Sequence, residues 1–524
     1  MTLPHVHEST AQAEGEEDLG VQRAEWSRQL IGLVVGLVLA GLVWAFFPAN
    51  AVDTVMQSAG AKADATYTHG ALRSVAAVTI LMGVWWMTEA IPLAATALLP
   101  LAIFPLTGVG TIKEVGAPYA SGTIFLFMGG FLIALALQRW NLHRRMALTV
   151  VKLVGTSPKR LVLGFMLATG ILSMWVSNTA TAVVMLPIGT SVLALTADAV
   201  GGMKNQKKFA TALMLGIAYS ASIGSLGTLI GTPPNTLLAG YMKEAHDITL
   251  GFGEWMIVGM PLAIIFLIVA WLLLVTVFKP EMDQIPGGKE LINEEIAKLG
   301  PWTGPQITTG IIFLGAALAW VFVPLLFPDL PGYHDAIVGI VAGLLLFTIP
   351  ADFRYGVRLL DWKTANDMPW DVLLLFGGGL SLSAMFNSSG LSLWIGEMAK
   401  GLAVLPSILL VAAVAVMVLF LTEITSNTAT AATFLPIMGG VAVGIGLTEN
   451  GDINVLLLTI PVALAATCAF MLPVATPPNA IAYSSGYVKI GDMIKGGLWL
   501  NLIGTVLITL TVYLLAIPVF GLVL

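Results

Sequence analysis

Ser177, Asn178 and Thr179 open the run SNTATA, and Ser426, Asn427 and Thr428 open an identical run 249 residues later. Both runs lead into Leu-Pro-Ile, at residues 186–188 and 435–437. An asparagine side chain can offer a cation its oxygen or an anion its N–H, and a threonine adds a hydroxyl donor. Such groups are costly inside an apolar run in lipid, so a repeated triplet points to two halves of one binding site. A second repeated motif lies downstream of each triplet, Thr232-Pro233-Pro234-Asn235 and Thr476-Pro477-Pro478-Asn479. Consecutive prolines cannot continue an α-helix, so each of these spans is expected to break in mid-membrane. A break frees N–H groups where one half-helix begins and C=O groups where the other ends, which are partners for an anion and a cation together. No Arg or Lys lies near either triplet. A bound anion must therefore rely on amides, hydroxyls, helix ends and co-bound cations, which makes cation coupling physically sensible.

A single triplet could equally be a helix cap, and a single TPPN a plain turn. Two copies in corresponding positions make that the weaker reading. The runs Phe127–Gly130 (FMGG) and Phe376–Gly379 (FGGG), also 249 residues apart, read as places of close helix packing. Glu423 has Met174 as its counterpart, so this acid belongs to one half only. It either tunes a cation site, takes a proton, or is a hydrogen-bonded helix-end acid. Glu89, at a helix break, reads as solvated or hydrogen-bonded.

Hydrophobic residues make up 57% of the 524-residue chain and charged ones only 10%, which is the composition of a membrane protein. The net charge of -6 comes largely from acids near the N-terminus and around residues 281–295, and no basic face for nucleic acid is implied. The apolar runs are of helical length and lack the short alternation of an outer-membrane barrel. One cysteine, Cys468, excludes an intrachain disulfide, and the six histidines fall in the tail, loops and interface segments. An intramembrane enzyme, which needs a nucleophile with an oriented base or metal ligands in the bundle, is thereby disfavoured. An open channel fits re-entrant hairpins less well than alternating access does.

The chain is expected to be an all-α polytopic membrane protein of two inverted-topology repeats. Residues 1–28 read as a cytoplasmic tail without structure, and 29–278 as the first repeat, with a re-entrant hairpin over about 161–195 and a broken span over about 210–241. Residues 279–305 read as a cytoplasmic linker, and 306–524 as the second repeat, with a hairpin over about 404–445 and a broken span over about 455–486. Amphipathic stretches at 140–155 and 391–403 precede the hairpins and suit helices lying along the interface. With the tail inside, 19 of the 24 Lys and Arg residues fall on the cytoplasmic side, so the bias favours that orientation and turns one repeat upside down.

The paired SNT and TPPN motifs, with WWMTEAIP at residues 85–92, resemble the divalent anion/sodium symporter family over nearly the whole chain. Members of that family carry dicarboxylates, citrate and, in some cases, sulfate. The resemblance implies a homodimer in the cell membrane, each subunit having a scaffold and a transport domain that moves as an elevator on two amphipathic arms. It implies a first sodium site from Ser177, Asn178, the backbone of Ser173 and the carbonyl of Gly231, and a second from Thr422, Ser426, Asn427 and the carbonyl of Ala475. Substrate carboxylates are expected at Asn178, Thr179, Asn427 and Thr428, over a floor of Thr232, Pro233, Thr476 and Pro477. The leading expectation is sodium symport of C4-dicarboxylates such as succinate, malate or fumarate. Dicarboxylate exchange and sodium-coupled citrate or sulfate transport are the alternatives within transport.

Overall fold

A chain so apolar must satisfy its backbone internally wherever lipid surrounds it, and helices do this segment by segment. The computed structural model describes residues 5–59, 67–155, 157–285, 288–328, 330–447 and 453–523 and is almost entirely α-helical. Eight helices among the described residues are long and apolar enough to cross a membrane. The exception to helix is a small antiparallel pair, β1 (Pro350–Asp352) and β2 (Val357–Arg358).

The first half is built on α1 (His5–Phe46), α2 (His69–Thr88), α3 (Gly122–Arg139), α4 (Leu142–Val154), α5 (Pro158–Ser173), α6 (Asn178–Val200), α7 (Lys207–Ser225), α8 (Pro233–His246) and α9 (Phe252–Val277), with shorter helices at Ala51–Ala59, Leu93–Thr96, Leu99–Leu106 and Ile112–Gly116. Helix α10 (Gly288–Lys298) joins it to α11 (Gly304–Leu326), α12 (Asp335–Thr348), α13 (Trp370–Ser388), α14 (Leu391–Ala399), α15 (Ser407–Thr422), α16 (Asn427–Gly444), α17 (Leu456–Thr467), α18 (Pro477–Ser484) and α19 (Ile490–Thr511). Helices α14 to α17 begin 249 residues after α4 to α7. That register then fails: α7 has 19 residues and α17 only 12, and Thr476 comes 244 residues after Thr232.

Three expectations need amendment. The tail read as unstructured is helical from His5 and continuous with the first span, while residues 1–4 lie outside those described. The linker carries α10, whose Ile292 is buried and whose Ile296, with Leu299 just past its end, packs beside the core, an i, i+4, i+7 stripe hidden among charges. Helix α6 runs 23 residues to Val200, about 35 Å at 1.5 Å per residue, so this arm of the hairpin is longer than expected.

The broken spans form the centre. Every residue of α7 from Phe209 to Ser225 is buried, as are all 12 of α17. Helix α5 packs on α7 and α15 on α17, placing each triplet against a broken span. The approach of α5 to α7 is close because Gly224 lies against Gly170, where a Cβ would overlap backbone. The glycine runs do serve packing: a Cβ on Gly129 would meet the backbone of Gly339 in α12, and one on Gly378 that of Ala97. Helix α11 exposes Ile307, Ile311, Leu314, Leu318, Phe322 and Leu325 along one side, as a lipid-facing helix should. Its inner side meets the first hairpin: Trp175 packs edge-on to Phe313 at 5.1 Å and stacks with Phe252 and Trp320 at 6.1 and 6.5 Å.

Candidate functional site

Both triplets sit where a helix begins. Ser177 is the N-cap of α6, its Oγ accepting the N–H of Ala180 at 3.2 Å, and Ser426 holds the same place at the start of α16. Capping is therefore part of what the first triplet does. The asparagines face back across each hairpin. Asn178 Oδ1 accepts the Ser173 hydroxyl at 2.6 Å, and Asn427 Oδ1 lies 2.8 Å from the Thr422 hydroxyl, which is also 2.8 Å from the carbonyl of Ala466 in α17. On its other side Asn178 Nδ2 donates to Ser225 Oγ at 3.4 Å, at the end of α7.

The breaks, residues 226–232 and 468–476, are braced by the last letter of each TPPN. Asn235 Nδ2 points at the carbonyls of Thr228, Leu226 and Ser225 at 3.0, 3.3 and 3.5 Å, and Asn479 Nδ2 at those of Ala469 and Leu472, both at 3.1 Å. In each case the side-chain oxygen is buried without a hydrogen-bond partner among the described residues. Thr232 Oγ and Thr467 Oγ, 3.3 Å apart, tie one break to the other.

Among the described residues, the second break carries a brace that the first lacks. Glu423 supplies it. Its carboxylate is 3% exposed and accepts the N–H groups of Phe470, Met471 and Leu472 at 2.7 to 3.2 Å, with the amide of Asn501 at 2.7 Å. Of the roles open to this acid, the hydrogen-bonded one is the one its surroundings fit. In the first half, where Met174 stands, the Thr228 hydroxyl instead donates to the Met174 carbonyl at 2.5 Å.

A cavity of about 1080 Å³ opens between the two triplets. It brings together all eight residues expected at the substrate: Asn178, Thr179, Asn427, Thr428, Thr232, Pro233, Thr476 and Pro477. Of the residues expected at sodium, Ser177, Gly231, Ser426 and Ala475 also line it, while Ser173 and Thr422 lie just behind, fully buried. Phe127, Phe131 and Gln138 of α3 also line it, and the exposed charged residues Arg28, Glu89 and Asp367 belong to the lining and are taken as its rim. Asn235 and Asn479 read from sequence only as parts of the TPPN turns, and Ser225 and Asn501 carry no reading there. A lone asparagine within the apolar run of α19 was a visible signal for the last of these.

Two helix-start triplets and two broken helices converging on one polar cavity in an apolar bundle define a membrane transporter with its site inside the bundle. Residues 68–522 match the family described as the sodium:sulfate symporter transmembrane region, and the chain belongs to that family. The sodium-dependent dicarboxylate transporter SdcS of Staphylococcus saprophyticus is 41% identical over 502 residues, covering 94% of this chain and 92% of that protein. The SdcS of Staphylococcus aureus strain bovine RF122 is 41% identical over 501 residues with the same coverage. Among solved structures, the YdaH transporter of Alcanivorax borkumensis superposes with a TM-score of 0.53 at 16% identity, over 85% of this chain and 98% of that one. MtrF of Neisseria gonorrhoeae gives 0.52 at 15%, over 79% and 85%. These two likenesses concern the fold alone. Membership of a transporter family makes the chain a multi-pass membrane transporter and sets the enzymatic alternative aside.

Proposed function

We propose that the protein imports C4-dicarboxylates such as succinate, malate or fumarate by sodium symport. The observation that carries this reading is the convergence of both triplets and both TPPN turns on one cavity whose floor has amides, hydroxyls and carbonyls but no basic side chain. Such a floor suits a dianion only together with cations, and its oxygen donors suit a hard cation such as sodium. The unpartnered oxygens of Asn235 and Asn479, one beside each triplet's broken span, fit the same chemistry. Sodium is held by Ser173, Ser177, Asn178 and Gly231 at one site and by Thr422, Ser426, Asn427 and Ala475 at the other. The two carboxylates of the substrate meet Asn178, Thr179, Asn427 and Thr428.

Transport is by an elevator: α5–α9 and α15–α19 move as one body against α1–α3 and α11–α13, with α4 and α14 as the connecting arms. The protein works as a homodimer in the plasma membrane with a cytoplasmic N-terminus. In that orientation the rim residues Arg28, Glu89 and Asp367 lie on the cytoplasmic side, which makes this conformation inward-facing. The test is uptake of radiolabelled succinate, citrate and sulfate into proteoliposomes with and without an inward sodium gradient. Sodium-driven succinate uptake, competed by malate and fumarate, is expected. Uptake indifferent to sodium but dependent on internal dicarboxylate overturns symport in favour of exchange.

A further inference from the structure

The cavity floor lacks a basic side chain, but its rim does not. Arg28 is the only Arg or Lys among the described residues that line it, and its Nη2 lies 3.3 Å from Glu89 Oε2. Both side chains remain about half exposed, at 57% and 51%. An ion pair so placed contributes only about 0–1 kcal/mol, so exchanging partners costs little. It also meets through one nitrogen at a distance longer than the roughly 2.7–2.9 Å of a strong charge-assisted bond, whereas a guanidinium prefers a two-pronged carboxylate.

The positions of the two groups are nevertheless fixed. Arg28, Gly32 and Gly36 follow one face of α1 at four-residue spacing. A Cβ on Gly32 would overlap Thr88, and one on Gly36 the ring of Trp85, whose Nε1 donates to the Leu33 carbonyl at 3.4 Å. Helix α1 is thus locked onto the end of α2, directly above Glu89. Glu89 itself closes α2 in the left-handed region at φ 50°, ψ 41°, its N–H bonded to the Trp85 carbonyl. A side chain there costs on the order of 1 kcal/mol that a glycine would not.

We propose that Arg28 and Glu89 form a second, transient station for the transported species: the guanidinium takes a substrate carboxylate at the rim while the freed Glu89 carboxylate takes a co-transported cation. This inference rests on the dicarboxylate symport reading. It places the station on α1 and α2, in the part assigned as static, so it acts only on exchange with the compartment that the rim faces.

The experiment compares right-side-out and inverted membrane vesicles from cells expressing the full chain as wild type, Arg28→Gln, Arg28→Lys or Glu89→Gln. In the orientation presenting the rim, Arg28→Gln is expected to raise the KM for succinate up to about fivefold, the scale of an ion pair in a half-exposed site. Arg28→Lys is expected to raise it less, and Glu89→Gln to raise the half-saturating sodium concentration. In the other orientation all values stay at wild type. Wild-type KM on the rim side should also rise with choline chloride, a dependence Arg28→Gln loses. Thermal stabilisation by sodium plus succinate, measured in detergent, should survive in every variant, because the inner site is intact. Unchanged constants in both orientations, or equal changes in both, overturn the station. Wild type without sodium-dependent succinate uptake in either orientation is instead a failure of the symport reading.

Discussion

Asn178 and Asn427 each accept one hydroxyl across a hairpin and turn the rest of the amide toward the cavity or the adjoining break. Alanine at either position deletes a ligand while removing only one or two modest hydrogen bonds, about 1 kcal/mol each. Sodium-dependent uptake by Asn178→Ala or Asn427→Ala is therefore expected to fall by roughly a hundredfold while gel filtration still shows a monodisperse protein. Normal uptake in either variant would count against both the substrate and the sodium assignments. Asp361, in the segment before α13, makes a prediction of a different kind. The N–H of Thr364 and the guanidinium of Arg139, 2.6 Å away, hold its carboxyl down to about 2. A depressed folded-state value means its stabilisation is complete above the ordinary range near pH 4 and disappears as the pH falls toward 2. Asp361→Asn should lower the thermal midpoint at pH 7, and the gap from wild type should close across that window. A gap independent of pH would show that the carboxylate charge has no part in holding this segment.

At the scale of elements, the two broken spans are alike in plan and unequal in construction. Nine residues separate the α-helical arms of the second, three of them (Pro473–Ala475) in a 3-10 turn, against seven in the first, and three N–H groups of the second break are met by Glu423. Glu423→Ala strands three amide hydrogens in the interior, at about 1–3 kcal/mol each, and should abolish recovery of folded protein. Glu423→Gln keeps one oxygen and should leave a protein whose midpoint is several degrees lower. A Gln variant as stable as wild type would mean that these bonds are not needed to hold the break. The sequence made the existence of both breaks legible, because tandem prolines in an apolar run have few other meanings. The eight residues that the family resemblance marked for the substrate all line one cavity; the 249-residue repeat pairs Asn178 with Asn427 and Thr179 with Thr428, whereas the TPPN residues correspond by motif at a spacing of 244. What pattern could not convey was the bracing. Asn235 and Asn479 look like turn residues until their amides are seen against the carbonyls of the break, and Glu423 is separated by 78 residues from the Asn501 that helps hold it. Helix α10 was hidden for another reason, since its apolar stripe is thin among charges whose pairing, Glu295 with Arg144 and Lys298, only the folded chain reveals.

For the whole molecule, an elevator requires the first hairpin to slide along α11, and the contact to watch is Trp175 against Phe313. Cysteines at these two positions, in a chain whose single buried cysteine is replaced as Cys468→Ala, should be joined by a short bifunctional thiol reagent. Uptake should then stop and return on reduction. Full-rate uptake in the joined protein would rule out sliding at this surface. The lost register between the halves has a historical consequence too. If one ancestral segment was copied to make both, the halves ceased to be interchangeable once α7 and α17 came to differ by about two turns and the second break came to depend on an acid. Reverting Glu423 to the Met174 of the other half now leaves amides bare, and restoring the missing residues alone leaves a carboxylate without its donors. Neither change is viable first, so the divergence acts as a ratchet: single substitutions cannot carry the molecule back to symmetry.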